Sequence, residues 1–309
     1  MMLVVSHLSK HFGAKRAVDD ISFSIAPGEI VGFLGPNGAG KSTTMNMLTG
    51  YISSTDGKIC INGIDLLQSP KEAKKHIGYL PEIPPLYLDM TVEEYLSFVY
   101  ELKKVTLPKR KHLNEILALT SLTNVRGRLL RNLSKGYRQR AGLAQALIGD
   151  PDVLILDEPT IGLDPTQIIE FRNIIVGLNK TVIFSTHILS EVSAICSRIL
   201  IINQGKIIAE KDCSTMGKED FQYTVQFSSA ASRSMEVLQK IEGIKDIHVI
   251  SETASCSELS LNCTRDIRPE MFRALAAADI PILLLKDTVH SLEEIFLETV
   301  SGAQKEVTA

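Results

Sequence analysis

Three short stretches carry residue types that could do chemistry on a phosphate. GPNGAGKST fits G-x-x-x-x-G-K-[ST] at Gly35, Gly40, Lys41 and Ser42, between the apolar run IVGFLG and a helical pattern starting at Ser42. The loop runs through Gly35, Pro36, Asn37, Gly38, Ala39, Gly40, Lys41, Ser42 and Thr43. Its glycines let backbone N–H groups curl around phosphates with no Cβ in the way. Lys41 is placed to reach the β- and γ-phosphates of a nucleotide, and Ser42 to ligate Mg2+. VLILDEP delivers two acids, Asp157 and Glu158, at the carboxyl end of an apolar strand. Asp157 would hold Mg2+, directly or through water, while Glu158 would orient and polarise a water for attack on the γ-phosphorus. VIFSTH ends a second apolar strand on His187, a candidate γ-phosphate contact. Together these groups describe transfer of a phosphoryl group to water.

A fourth stretch, LRNLSKGYRQRAGLAQALIGDP, raises a separate question. Ser134 stands just before helical apolar spacing, so Ser134, Lys135 and Gly136 read as a helix start with free N–H groups, a second anion site. It lies far along the chain from the first.

The elements that must position these residues follow from periodicity. Residues 1–30 alternate apolar and polar positions with turn signals, as in an antiparallel meander, and GKICINGIDL is another short strand with Gly63 at its turn. TVEEYLSFVYELKK and KRKHLNEILALTSL carry helical stripes. Strands return at VLILDEP and TVIFSTH, each followed by a helical pattern, the βαβ rhythm of a mostly parallel sheet. Residues 1–215 therefore read as one α/β nucleotide-binding domain with a helical insertion at about 85–150. Residues 216–309 read as a small accessory α+β domain. Its order β-α-β-β-α-β, ending in PILLLKD and the helix SLEEIFLETVSG, is that of a ferredoxin-like split unit. The basic run from Lys103 to His112 reads as a solvated helix edge.

The bulk properties narrow the class. The chain has 309 residues, 44% apolar and 22% charged, an ordinary globular composition. A net charge of −3 is no footprint for nucleic-acid binding. Five scattered cysteines without C-x-x-C spacing suggest free thiols in a reducing compartment. MMLVVSHLSKHF lacks the apolar core of a signal peptide, and no apolar run approaches the ~20 residues that span a bilayer. The expectation is a cytoplasmic chain with no membrane span of its own, so any spanning is done by a partner.

In order and spacing, these motifs resemble the nucleotide-binding subunit of ATP-binding cassette (ABC) transporters over roughly residues 1–215. The resemblance implies a P-loop NTPase cassette, a mixed sheet with an antiparallel β subdomain and a helical subdomain, that binds ATP and Mg2+. It implies that Leu133 to Tyr137 stand in for the family's L-S-G-G-Q signature, which meets the γ-phosphate held by the cradle of another subunit. Two anion-binding helix starts are then two half-sites of a head-to-tail homodimer or heterodimer. Asp164 matches a loop that communicates across that dimer, and Phe12 the aromatic that stacks on adenine. Where the family has a glutamine touching Mg2+ and the attacking water, this chain offers only Glu82, in YLPEIPP. A carboxylate can ligate Mg2+ but donates no amide hydrogen bond. YLPE, LSKGYRQR and SLEEIFLETV resemble the branch that drives export-type (type-2) permeases, among them drug-resistance exporters and gliding-motility ATPases.

The expected function is an ATP-hydrolysing subunit on the cytoplasmic face of the cell membrane, driving a separate integral membrane permease. One alternative is a soluble ABC ATPase of DNA repair or translation. The former needs coiled-coil arms between cradle and signature, whose heptads are missing here, and the latter usually carries two cassettes. The other is a regulatory cassette with little turnover, suggested by Glu82 and the altered signature. Against it stand Lys41, Asp157, Glu158 and His187.

Overall fold

The computed structural model describes residues 1–213, 221–253 and 256–287. The expected terminal helix SLEEIFLETVSG lies outside them. The chain forms two compact units, Met1–Cys213 and Ser214–Ala309.

In the first unit β1 (Leu3–Phe12) and β2 (Lys15–Ile25) form a hairpin, and β3 (Ile30–Leu34) runs into α1 (Lys41–Leu48). Then come β4 (Asp56–Ile61), β5 (Ile64–Asp65), α2 (Pro70–Ala73) and β6 (Ile77–Leu80). The helical insertion holds α3 (Val92–Leu102), α4 (Lys109–Leu119) and α5 (Lys135–Leu147). The remainder is β7 (Val153–Asp157), α6 (Pro165–Gly177), β8 (Thr181–Thr186), α7 (Leu189–Ile195), β9 (Arg198–Asn203) and β10 (Lys206–Asp212).

The strands sort into two sheets. One has the order β2-β1-β4-β5, all antiparallel. The expected meander is interrupted, because β3 leaves for the second sheet and β4 returns to the free edge of β1. Asn62 (φ 50°) and Gly63 (φ 79°) make the two-residue turn between β4 and β5, with Ile61 opposite Ile64. Asn-Gly suits this turn because both central residues need positive φ. The second sheet has the order β10-β9-β3-β8-β7-β6 and is parallel except for β10 at its edge. Its central strands are covered on both faces, which is why β7 is buried from Val153 to Asp157 and reads as an unbroken apolar run.

The insertion packs around its own apolar cluster. In α3, Val92, Tyr95, Leu96, Val99 and Tyr100 face inward on helical spacing. Its start is fixed by a capping box, in which the Thr91 hydroxyl accepts from Glu94 N at 3.2 Å and the Glu94 carboxylate accepts from Thr91 N at 2.8 Å. The basic run does not behave as one solvated edge. Lys103 Nζ donates to Ile148 O at 2.8 Å, and desolvation pushes its ammonium down to about 8. His112 is buried, and its Nε2 accepts from Gly149 N at 3.0 Å. Both side chains satisfy backbone groups just past α5, and between them Val105 packs on the helical cluster while Lys109 pairs with Glu101.

The second unit contains β11 (Phe221–Phe227), α8 (Ala231–Leu238), β12 (Ile244–Glu252), β13 (Ser257–Cys263), α9 (Arg268–Ala277) and β14 (Ile282–Asp287). The strand order is β12-β13-β11-β14 with antiparallel neighbours, so β11 and β12 flank β13 in a split β-α-β arrangement. Tyr223, Val225 and Phe227 of β11 and Leu259, Leu261 and Cys263 of β13 alternate onto one face, where Leu238, Met271 and Leu275 cover them.

Candidate functional site

The carboxyl ends of β3, β6, β7 and β8 bring the phosphate-chemistry residues to one edge of the parallel sheet, where α/β proteins place their ligands. The loop from β3 ends at Gly40, which has φ 108° and caps α1 without any side-chain hydrogen bond. A Cβ at Gly40 would lie 2.6 Å from Ala17 O, so only glycine fits this close approach. The first-turn N–H groups of α1 are therefore left to a ligand, and an anion is what they and the helix dipole suit. A cavity of about 370 Å³ opens there, lined among others by Gly38, Lys41, Ser42, Glu82, Glu158 and His187. Asn37, Gly40 and Thr43 also line it, whereas Ala39 is buried beneath.

Lys41 is only 5% exposed. Its Nζ donates to Gly35 O at 2.7 Å and Pro36 O at 3.2 Å, and stands 3.3 Å from Glu158 Oε1. Glu158 is buried and has φ 45°, a strained conformation for a side chain of this size. Its backbone N–H bonds Ser185 O at 3.1 Å and Ser185 Oγ at 3.0 Å, which holds the strain in place. Its other carboxylate oxygen, Oε2, meets His187 Nδ1 at 2.9 Å, leaving Nε2 of that ring for a further partner. Glu158 thus bridges the cradle lysine and the histidine.

Asp157 is buried beside them, and Ser185 Oγ donates to its Oδ1 at 2.5 Å. Desolvation raises its pKa above the usual carboxylate value, partly opposed by hydrogen bonds from Ser185 and Ser42, with Glu158 and Glu82 adding repulsion. Ser42, Asp157 and Glu82 line one further cavity, so the sequence-derived metal set is brought together. The oxygen donors fit a hard divalent cation, whose charge would relieve the three converging carboxylates. Among the described residues no group of three or more His, Cys, Asp and Glu side chains could hold a metal ion, so phosphates and water would complete its shell.

The remaining sequence candidates lie elsewhere. Phe12, at the end of β1, is 53% exposed with Lys10 Nζ 5.2 Å from its ring centroid. It does not line the cradle cavity but pairs with Lys15, which does. Ser134 caps α5 loosely, its Oγ accepting from Tyr137 N at 3.4 Å. None of Ser134, Lys135 and Gly136 lines the cradle cavity. Lys135 leans instead over Gly162, where a Cβ would lie 2.3 Å from its Nζ, and lines a cavity with Glu82, Arg138 and Ile161. Gly136 packs against the Gln167 side chain of α6, and Asp164 caps that helix, Oδ1 accepting from Gln167 N at 2.9 Å. Tyr137 lies under the Arg140 guanidinium, 5.2 Å from ring centroid to Cζ, and Arg140 pairs with Glu170 of α6.

Sequence reasoning missed Lys15, Ile161 and Ser185. Ser185 had a signal, since Ser185 and Thr186 interrupt an otherwise apolar buried strand. Lys15 had none beyond its place in a polar hairpin turn.

The sequence profile of the ABC transporter family matches residues 18–161. The chain is 34% identical to an uncharacterized ABC transporter ATP-binding protein, YhcH, of Bacillus subtilis, across 99% of this chain and 98% of that protein. It is 31% identical to the bacitracin transport ATP-binding protein BcrA of Bacillus licheniformis, across 97% of this chain and 98% of that one. A solved dimeric bacterial ABC transporter cassette superposes with a TM-score of 0.62 at 25% identity, covering 69% of this chain and 99% of that structure. Among the described residues no helix is long and apolar enough to cross a membrane. With the cradle, the paired acids and the histidine on one sheet edge, the chain belongs to the ATP-binding subunits of ABC transporters, ATPases that work with a membrane permease.

Proposed function

We propose that the cradle residues Gly35 to Thr43 bind the phosphates of ATP, that Glu158 orients the attacking water, and that His187 contacts the γ-phosphate. The observation that carries this is Glu158 itself, bonded to both Lys41 and His187 where α1 starts without a side-chain cap. An arriving γ-phosphate draws Lys41 from Glu158 and frees that carboxylate to take a proton from water. Ser42 and Asp157, with Glu82 from the neighbouring strand end, would hold Mg2+, which neutralises developing charge on the phosphates. Glu82 supplies an acceptor only, so water positioning falls to Glu158.

Ser134, Lys135 and Gly136 serve the site of a second cassette, consistent with their absence from the cradle cavity of their own chain. Asp164, holding the start of α6, sits in the loop that would report across the pair, and Phe12 offers its exposed ring to adenine. The subunit works at the cytoplasmic membrane face and drives export. Supporting this, the similarity to the bacitracin transport protein extends over nearly the whole chain, including residues beyond 215. The organisation into a nucleotide-binding domain, residues 1–215, and an accessory domain, 216–309, is part of this reading, supported by the compact units Met1–Cys213 and Ser214–Ala309.

The experiment is Glu158→Gln. Expected are a loss of phosphate release of about a hundredfold or more, retained MgATP binding, and an ATP-dependent dimer on a sizing column. Wild-type turnover would sink the assignment.

A further inference from the structure

Among the described residues the buried carboxylates are Asp157, Glu158 and Glu191, and the chemistry above leaves Glu191 unused. It stands in the first turn of α7 and is 1% exposed. Its Oε2 accepts two hydroxyls, from Thr160 Oγ1 at 2.7 Å and from Thr186 Oγ1 at 2.9 Å, while Oε1 is buried and finds no partner among the described residues. Burying a carboxylate is costly, and a half-satisfied one more so. Packing alone would be served better by an apolar side chain.

The two hydroxyls come from the two loops that carry the chemistry. Thr160 follows Glu158 by two positions, and Thr186 immediately precedes His187. Thr186 Oγ1 also accepts from Ile188 N at 3.1 Å, so the backbone is fixed on both sides of His187. Since His187 Nδ1 meets Glu158 Oε2 at 2.9 Å, a closed ring results: Glu158 to Thr160 along the chain, across Glu191 to Thr186, along the chain to His187, and back to Glu158. Ser185 makes a smaller rung inside it, joining Asp157 Oδ1 to Glu158 N.

We propose that Glu191 is a positioning residue for hydrolysis: its carboxylate ties the loop after β7 to the loop after β8 and so sets the distance between Glu158 and His187. It touches neither nucleotide nor water and leaves the cradle alone. Its loss therefore slows the chemical step without weakening ATP binding. The proposal rests on the roles assigned above to Glu158 and His187.

The test uses the full chain with MgATP. Glu191→Leu, Thr160→Val and Thr186→Val are each expected to lower kcat by about ten- to a hundredfold, with the MgATP Kd within about twofold of wild type. Thr160→Ser and Thr186→Ser keep the hydroxyl and stay near wild type. The triple variant Thr160→Val, Thr186→Val, Glu191→Leu removes the carboxylate and both hydroxyls together, leaving only Ile188 N without its Thr186 acceptor, and should recover most of the melting temperature lost by Glu191→Leu. Its kcat stays low if Glu191 positions the loops; recovery of kcat together with stability means that the acid is only structural and overturns the proposal. Should Glu191→Leu fail to fold, the two valine variants carry the test, and wild-type kcat in both overturns it. Glu158→Gln run in parallel separates the failures. Inactive Glu158→Gln with wild-type kcat in Glu191→Leu refutes the positioning role alone, whereas active Glu158→Gln refutes the roles on which it rests.

Discussion

At the scale of single residues, the cradle edge concentrates charge at a cost to the nucleotide-free fold. Asp157 is ionised only against desolvation and the repulsion of Glu158 and Glu82, so its folded pKa lies above its ordinary value near 3.8. For an acid with a raised folded pKa, the folded state binds more protons than the unfolded chain in the window between the two values. Its stability contribution is present below about 3.8 and is lost as pH rises through the folded pKa. Asp157→Asn keeps an acceptor for Ser185 and removes that penalty. Without nucleotide it should be more stable than wild type at pH 7, by about 1 kcal/mol, with the difference vanishing in acid. Thermal melts across that pH range check this, and MgATP hydrolysis should be lost. Lys41 was legible from its fixed place in the Gly-rich loop, and Asp157, Glu158 and His187 from theirs at the ends of apolar strands. Glu191 was not, because LSEVSAI looks like any short helix with an acid in its first turn. Only the fold shows that two threonines distant in sequence converge on it.

At the scale of elements, α5 and α6 explain the residues that make LSKGYRQR unusual. The Tyr137 ring supports Arg140, whose guanidinium pairs with Glu170 of α6. Gly136 lies against Gln167 on the same helix, and Lys135 covers Gly162 in the loop before it. The start of α5 is thus braced on α6 and the loop before it from three successive positions. A cation over an aromatic face contributes about 0.5–1 kcal/mol at a partly exposed site. Tyr137→Gln should lose about that much, and Glu170→Gln a similar amount. The double variant should lose less than the sum, since both act through Arg140. Urea unfolding of the four proteins measures the coupling, and strict additivity would refute the brace. The helix and its cap were readable from Ser134 and the spacing behind it. The brace was not, because nothing local to α5 says which residues of α6 face it. Lys103 and His112 escaped for the same reason: both anchor backbone groups at 148 and 149 that sequence spacing does not connect to them.

At the scale of the molecule, the two units have separate apolar cores. The first contains the clusters around Leu96 and Leu156 and around Phe33 and Met45, and the second the cluster around Tyr223, Phe227 and Leu261. The change of composition near residue 215 showed in the sequence, and so did the strand and helix order of the second unit. That element order already suggested a split β-α-β unit, and the fold adds the residue-by-residue pairing, because alternation along a strand does not name its neighbour. Every residue proposed to hold nucleotide in cis lies in Met1–Cys213. ATP binding should therefore stabilise that unit alone. By mass action, nucleotide at a hundred times its Kd adds about 2.7 kcal/mol to whatever binds it, which for a unit of this size raises Tm by about 5–10 °C. Calorimetry of the full chain should resolve two transitions. Adding MgATP should move one upward by that amount and leave the other in place, and Lys41→Ala should abolish the shift. A single transition that moves as a whole would show instead that the second unit unfolds only with the first, and that its core depends on the cassette.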